Sequence, residues 1–239
     1  MNYVKITSIF LTALLIFATT NLHAQENNWN YIGTDDIVSR DTFIRKDYSL
    51  IFINKVPLFD SNLKKRLIET FFSVYPQQAK LYNAKTSRQV IFIIDPKYIG
   101  VAATSGNIVR YSPVWFANHP EDIDVVTHEV MHIVQSYPNE AGPGWLTEGI
   151  ADYVRNKLGV NNAGANWLLP DFSAKQNYTN AYRVTAKFLG WVESKYDKKL
   201  VKQLDKAMRS GTYSPDLWKK YTGKSVDELW ETYATESNI

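Results

Sequence analysis

The chain contains no cysteine among its 239 residues, which excludes disulfide cross-links. It also excludes the lipid-modified cysteine of a bacterial lipoprotein. The net charge is only +3, and acidic residues interrupt the basic cluster at 195–206, so we expect no nucleic-acid partner. Beyond the N-terminus, no apolar segment is long enough to cross a bilayer.

The first 24 residues have the order of a secretory signal peptide. Lys5 precedes an apolar run from Ile6 to Ala18, and the small residue Ala24 ends the segment. We predict cleavage after Ala24 and a secreted or periplasmic protein without stable membrane insertion, with a bacterial origin favoured by the lack of cysteine. The alternative is an uncleaved N-terminal anchor.

The remaining residues predict one domain, 25–239, of the α+β class. Apolar, β-rich segments predict strands at 48–54, 89–95 and 107–112, whereas 25–45 is a polar lead-in. Helical spacing predicts a helix over 60–75 that is capped by Ser61. After Pro120 it predicts helices at 121–137, 145–158, 179–196, 197–209 and 225–236, the last with a capping box of Ser225 and Glu228. A small N-terminal mixed sheet is therefore expected to pack on a helical half.

Two of the three histidines that follow the signal segment lie in the motif His-Glu-Val-Met-His at 128–132. Positions four apart share one face of a helix, so His128 and His132 can direct ring nitrogens at one metal ion. Glu129 lies beside the first histidine, where its carboxylate can act as general base toward a water molecule that the zinc ion activates. The motif predicts a zinc site on the helix over 121–137.

A zinc site with an open position requires a third protein ligand. Residue 135 is Gln and residue 138 is Pro, so the pattern with a third histidine six residues downstream is absent. Glu148 and Asp152 lie one turn apart on the next predicted helix, among apolar neighbours. One carboxylate can bind zinc while the other accepts the free ring N–H of a ligand histidine. The residues alone leave open which one does which.

Three segments resemble the basic secretory protein family of plants and bacteria: HEVMHIVQ at 128–135, EGIADYVR at 148–155 and AYRVTAKFLGWV at 181–192. The end of the chain, GKSVDELWETY at 223–233, is similar to the end of that domain. The resemblance implies a zincin-like fold and a zinc metallopeptidase of the gluzincin type. This chain is less basic than the name of the family suggests.

The resemblance also implies roles for individual residues. Glu148 would be the third zinc ligand and Asp152 the carboxylate that orients a histidine, with the swapped assignment still open. Tyr182 matches a tyrosine that stabilises the oxyanion, the alternative being an ordinary core or surface tyrosine. Related enzymes bind an extended peptide along an edge strand, for which 106–112, with Asn107, Ile108 and Val109, is the candidate here. An interior strand is the equal alternative.

The sequence thus predicts a monomeric, exported zinc metallopeptidase that acts on peptides or proteins. The alternative is an exported glycan- or wall-associated binding protein that keeps its zinc ion for structure alone. A structural zinc site would fill its fourth position with a protein ligand, and no cysteine or spare histidine is evident for that position. An open position beside an intact base, Glu129, therefore favours the enzyme.

Overall fold

The computed structural model describes residues 29, 32–34 and 36–237, so the predicted signal peptide lies outside the described residues. The chain divides into two units at the boundary between Gly33 and Thr34. The described residues of the first unit belong to no helix or strand. Every helix and strand of the described residues lies in the second unit, Thr34–Ile239.

Five strands form one mixed sheet in this unit. They are β1 (Ser39–Arg45), β2 (Tyr48–Asn54), β3 (Gln89–Ile94), β4 (Ala102–Ser105) and β5 (Ile108–Tyr111), arranged in the order β1-β2-β3-β5-β4. β2 pairs in parallel with β3, and β3 with β5, whereas β1 and β4 pair antiparallel with their neighbours. The central strands β2 and β3 are almost wholly buried, as expected for apolar strands with both faces covered.

The prediction that 106–112 forms the edge of the sheet is wrong. β5 lies between β3 and β4, so the strand at this edge of the sheet is β4, whereas β1 lies at the opposite edge. Gly106 and Asn107 form a two-residue hairpin loop between these strands, and Gly106 has a φ of +58°. Because β4 comprises four small residues (AATS) without apolar alternation, the sequence does not mark it as a strand.

Eight α-helices lie among the described residues: α1 (Ser61–Leu81), α2 (Pro113–Asn118), α3 (Val125–Gln135), α4 (Gly144–Leu158), α5 (Tyr182–Lys195), α6 (Leu200–Arg209), α7 (Asp216–Thr222) and α8 (Val226–Ser237). The predicted α+β class is confirmed. The capping box of Ser225 and Glu228 is also confirmed, with hydrogen bonds of 2.7 and 3.2 Å between their side chains and backbones. The cap of α1 is Asp60 rather than Ser61.

The helix that carries the motif, α3, lies in the core and is held by polar side chains of α1 and the segment that follows it. Gln78 Nε2 donates to the carbonyl of Thr127 at 2.8 Å, and Asn83 Nδ2 donates to that of Val134 at 2.9 Å. Almost every residue of α3 is buried. Its position is therefore fixed by packing and by directed hydrogen bonds along its length.

Candidate metal centre and cleft

Two imidazole rings project from the same face of α3. The Nε2 atoms of His128 and His132 lie 3.1 Å apart, and the planes of the two rings are nearly perpendicular. The spacing of four residues along the helix produces this convergence. His128 is buried, whereas His132 is partly exposed.

Glu148, on α4, brings a carboxylate oxygen to both of these nitrogens. Its Oε2 lies 3.2 Å from His128 Nε2 and 3.5 Å from His132 Nε2. Three ligand atoms about 2.0–2.1 Å from a tetrahedral zinc ion would lie about 3.3–3.4 Å from one another. The three observed separations match that geometry. These residues form the one cluster of potential metal ligands in the described part of the chain.

Asp152 contacts the other nitrogen of His128. The Nδ1–H of His128 donates to Asp152 Oδ1 at 2.7 Å, and both side chains are buried. Asp152 lies one turn after Glu148 on α4, so the two carboxylates reach opposite sides of the same ring. This hydrogen bond holds the tautomer whose Nε2 carries a lone pair.

Gln135 has the same relationship to His132. The Nδ1–H of His132 donates to Gln135 Oε1 at 2.7 Å, and Gln135 Nε2 donates to the carbonyl of Thr147 at 2.9 Å. The second bond fixes which end of the amide faces the histidine. Sequence reasoning missed this contact, although the position three residues after His132 on α3 was a usable signal.

When both rings are neutral, these contacts hold the one proton of each ring on Nδ1, so that both Nε2 atoms carry lone pairs. Two lone pairs 3.1 Å apart repel each other unless a cation or a proton lies between them. Burial lowers the pKa of His128, but Asp152 and Glu148 outweigh burial and raise the pKa to about 10. Burial raises the pKa of Glu148, whereas its hydrogen bonds with the two histidines lower it well below its usual range. The donor set therefore fits a divalent cation.

Glu129 lies next to this cluster and contacts the edge strand. The hydroxyl of Thr104, on β4, lies 2.7 Å from Glu129 Oε2 and 3.0 Å from the backbone carbonyl of Glu129, and it can donate to either oxygen. Glu129 is buried apart from the surface that it contributes to the cleft. Thr104 thus restrains the carboxylate that the motif assigns as the base, a contact the sequence did not indicate.

Tyr182 is the first residue of α5 and is 53% exposed. Its ring stacks near that of His128, with centroids 6.1 Å apart and an interplanar angle of 20°. Both Ala181 and Tyr182 have positive φ angles, 62° and 48°, which are strained for residues with a Cβ atom. The charge of Glu148, together with burial, raises the pKa of the Tyr182 phenol.

One cleft of about 1120 Å³ contains all of these side chains. Ala102, Ala103 and Thr104 of the edge strand line it, whereas the predicted substrate-binding residues Asn107, Ile108 and Val109 do not. Ile108 and Val109 are buried within the sheet, and Asn107 Nδ2 donates to the carbonyl of Gln89. The strand that borders the cleft is therefore β4, which precedes the predicted segment 106–112 in the chain.

Two tryptophans, Trp115 and Trp167, form part of the cleft wall. Trp115 Nε1 donates to Asp122 Oδ2 at 3.0 Å, and Arg155 donates to the same carboxylate. The guanidinium of Arg155 lies over the ring of Trp167, 4.3 Å from its centroid. Asp122 and Arg155 are buried, so this network holds both indole rings in place.

Among the described residues, no helix is both long and apolar enough to span a membrane.

A search of curated protein sequences finds no match for the chain. Solved structures do match. They include an M1 zinc metallopeptidase from Deinococcus radiodurans, with 13% identity and a TM-score of 0.50. A mutant of the M1 zinc metallopeptidase from the same organism, bound to a Tyr-Ser-Ala substrate, has 14% identity and a TM-score of 0.50.

These alignments cover 82% of this chain but only 51% of each solved chain, so the protein spans about half the length of the structures it matches. They confirm the zincin-like fold. A family model described as a peptidase of plants and bacteria matches residues 39–233. The chain therefore belongs to this peptidase family, the basic secretory protein family that its motifs resemble.

Proposed function

We propose that the protein is an exported zinc-dependent metallopeptidase. His128, His132 and Glu148 would hold the zinc ion, and Glu129 would act as general base. The observation that carries the proposal is the convergence of three ligand atoms within 3.5 Å of one another, at the surface of a cleft that Glu129 also lines. A zinc ion bound there supplies Lewis acidity, which acidifies water and polarises the peptide carbonyl.

Glu129 carries the proton transfers in this proposal. Its carboxylate accepts a proton from the water molecule that attacks the peptide carbonyl, and then donates that proton to the leaving amine. The hydrogen bond from Thr104 supports this role because it limits the rotation of the carboxylate. Asp152 and Gln135 hold the two imidazoles in the orientation that presents Nε2 to the cleft.

Tyr182 is the proposed donor to the oxyanion of the tetrahedral intermediate. Its exposure, its place beside the ring of His128 and its strained backbone support that role. Strained backbone is costly and persists only where the surrounding structure enforces it, so an outlier beside a candidate site motivates a functional hypothesis.

The substrate would be an extended peptide that pairs with β4, the observed edge strand. β4 lies beside Glu129, so a peptide added to this edge would run past the base. Main-chain pairing tolerates many side chains, which suits a peptidase of broad specificity. The order of residues 1–24 supports export to the periplasm or the exterior.

The proposal is tested by Glu129→Gln, which removes the base and keeps the size of the side chain. We expect hydrolysis of an unfolded protein substrate to fall by about 10²–10⁴-fold while the zinc content stays unchanged. Glu231→Gln, at an exposed position on α8, is the matched control and should keep the parent rate.

Chelation should abolish hydrolysis by the parent, and added zinc should restore it. A Glu129→Gln variant with the parent rate would contradict the mechanism. A parent protein that binds zinc but cleaves no peptide would favour the alternative, a glycan- or wall-associated binding protein.

A further inference from the structure

The pairing of β4 with β5 determines which backbone groups of the edge strand remain at its outer side. The backbone N–H of Ser112 donates to the carbonyl of Val101 at 3.0 Å, and Ala102 is opposite Tyr111 in the register. In an antiparallel pair, residues alternate between bonding to the partner and pointing away from it. Ala102 and Thr104 therefore direct their N–H and C=O groups toward the free edge.

The outward carbonyl of Ala102 already has a partner. The hydroxyl of Tyr98 donates a hydrogen bond to it at 3.0 Å. Gly100, whose φ is +137°, makes this possible because the ring of Tyr98 folds back against it. A Cβ atom at Gly100 would lie only 3.2 Å from the Tyr98 hydroxyl.

This contact lies close to the proposed catalytic base. Thr104 contacts Glu129, and Ala102 is two residues earlier on the same strand, about 7 Å away along its length. Tyr98 lines the same cleft as Glu129. A peptide strand that pairs with both Thr104 and Ala102 would need the carbonyl that Tyr98 occupies.

We propose that Tyr98 is a specificity-determining residue that competes with the substrate backbone for the carbonyl of Ala102. The inference rests on the proposed peptidase function and deepens it. Short peptides pair at Thr104 and leave Tyr98 in place. Longer peptides must displace its hydroxyl before they pair at Ala102, so the enzyme gains little affinity from added length on that side of the cleft.

The test uses Tyr98→Phe, which removes the hydroxyl and keeps the ring. Binding is measured by fluorescence anisotropy in a Glu129→Gln background, with zinc present, so that no probe is cleaved. The probes are a nested series of fluorescein-labelled peptides from tripeptide to octapeptide, extended from either end. Tyr221→Phe, at a tyrosine outside the cleft lining, is the matched control.

We expect Tyr98→Phe to increase the affinity for the longer peptides of one series, because one hydrogen bond no longer has to be displaced. The increase should be about threefold to tenfold larger for these peptides than for the tripeptide. The control should show the length dependence of the parent. An equal change at every length, or none, would overturn the inference. A uniform loss of affinity would also overturn it, since the hydroxyl would then bind substrate directly.

Hydrolysis of the same peptides by proteins with an intact Glu129 separates this inference from the function on which it rests. Length-dependent binding without hydrolysis would reject the peptidase and keep the role of Tyr98 in peptide binding. Hydrolysis together with peptide binding that Tyr98→Phe leaves unchanged would keep the peptidase and reject the role of Tyr98. Failure of every peptide to bind would reject both.

Discussion

The side-chain amide of Gln135 fixes the ring of His132 by accepting a hydrogen bond from its Nδ1 at 2.7 Å. The same amide donates to the carbonyl of Thr147, so it joins the end of α3 to the start of α4. His128 is oriented by a carboxylate, that of Asp152, whereas His132 is oriented by a neutral group. Each partner holds its histidine ring so that the Nε2 atom faces Glu148.

Gln135→Ala should weaken zinc binding by about tenfold to 100-fold, since partners of this kind set the orientation and basicity of ligand histidines. Gln135→Glu retains an acceptor for His132 and should bind zinc more tightly than the alanine variant. Competition with a chromophoric chelator measures both. Equal zinc affinity for the parent and Gln135→Ala would show that the amide does not position His132.

Gly149→Ala should destabilise the protein by at least about 2 kcal/mol, because a Cβ atom there would lie 2.2 Å from Thr185 Cγ2. The close approach of α4 and α5 at this point also sets the distance between Glu148 and Tyr182. Gly190→Ala is the matched control, since its nearest contact would be Tyr153 at 4.0 Å.

We expect the Gly190 variant to gain up to about 1 kcal/mol from helix propensity. Urea unfolding measures both changes. A Gly149 variant as stable as the parent would contradict the packing described for α4 and α5.

Ala181→Gly tests whether strain holds Tyr182 in place. Glycine adopts the observed φ of 62° and ψ of −172° without strain, so thermal stability should rise slightly. The kcat should fall while KM changes little, because the phenol is held less firmly. Tyr182→Phe should reduce kcat by about 10²-fold. An unchanged kcat in both variants would rule out the proposed oxyanion donor.

The buried carboxyl of Asp205 should make the stability of the protein depend on pH. Its carboxyl is buried, and burial raises its pKa to about 6, against partial compensation from Arg209 and Tyr137. Between pH 4 and 6 the folded state then binds more protons at this group than the unfolded state, so the contribution of Asp205 to stability is lost as the pH rises toward 6.

Asp205→Asn should remove this contribution, which changes by at most about 1.4 kcal/mol per pH unit. The readout is the difference in free energy of unfolding between parent and variant, measured from pH 4 to 7. That difference should increase in favour of the variant as the pH rises through this window. A difference independent of pH would contradict the assignment.

The sequence specified the parts of the site that depend on local spacing. His128, Glu129 and His132 follow from one helical motif, and the apolar strands at 48–54 and 89–94 follow from their composition. Contacts between elements were not accessible in this way. Thr104 lies on a strand too short and too small to give a pattern, and the contrast between Glu148 and Asp152 depends on how α4 packs against α3.

The edge strand was mispredicted for a related reason. Residues 108–111 carry the β-rich signal, but AATS at 102–105 forms a hairpin with them and takes the outer position. Strand order depends on pairing between segments, which hydrophobic pattern alone does not determine. β1 was missed because its residues are largely exposed and polar, as is common at an edge.

The proposed function requires that His128, His132 and Glu148 hold one zinc ion. X-ray absorption spectroscopy of the purified protein, with metal analysis of the same sample, tests it most directly. We predict one zinc ion per chain, with two imidazole nitrogens and carboxylate oxygen at about 2.0–2.2 Å, and loss of stoichiometric zinc in Glu148→Ala. Protein purified with zinc available that binds none, or a Glu148→Ala variant with full occupancy and an unchanged spectrum, would contradict the proposed zinc site.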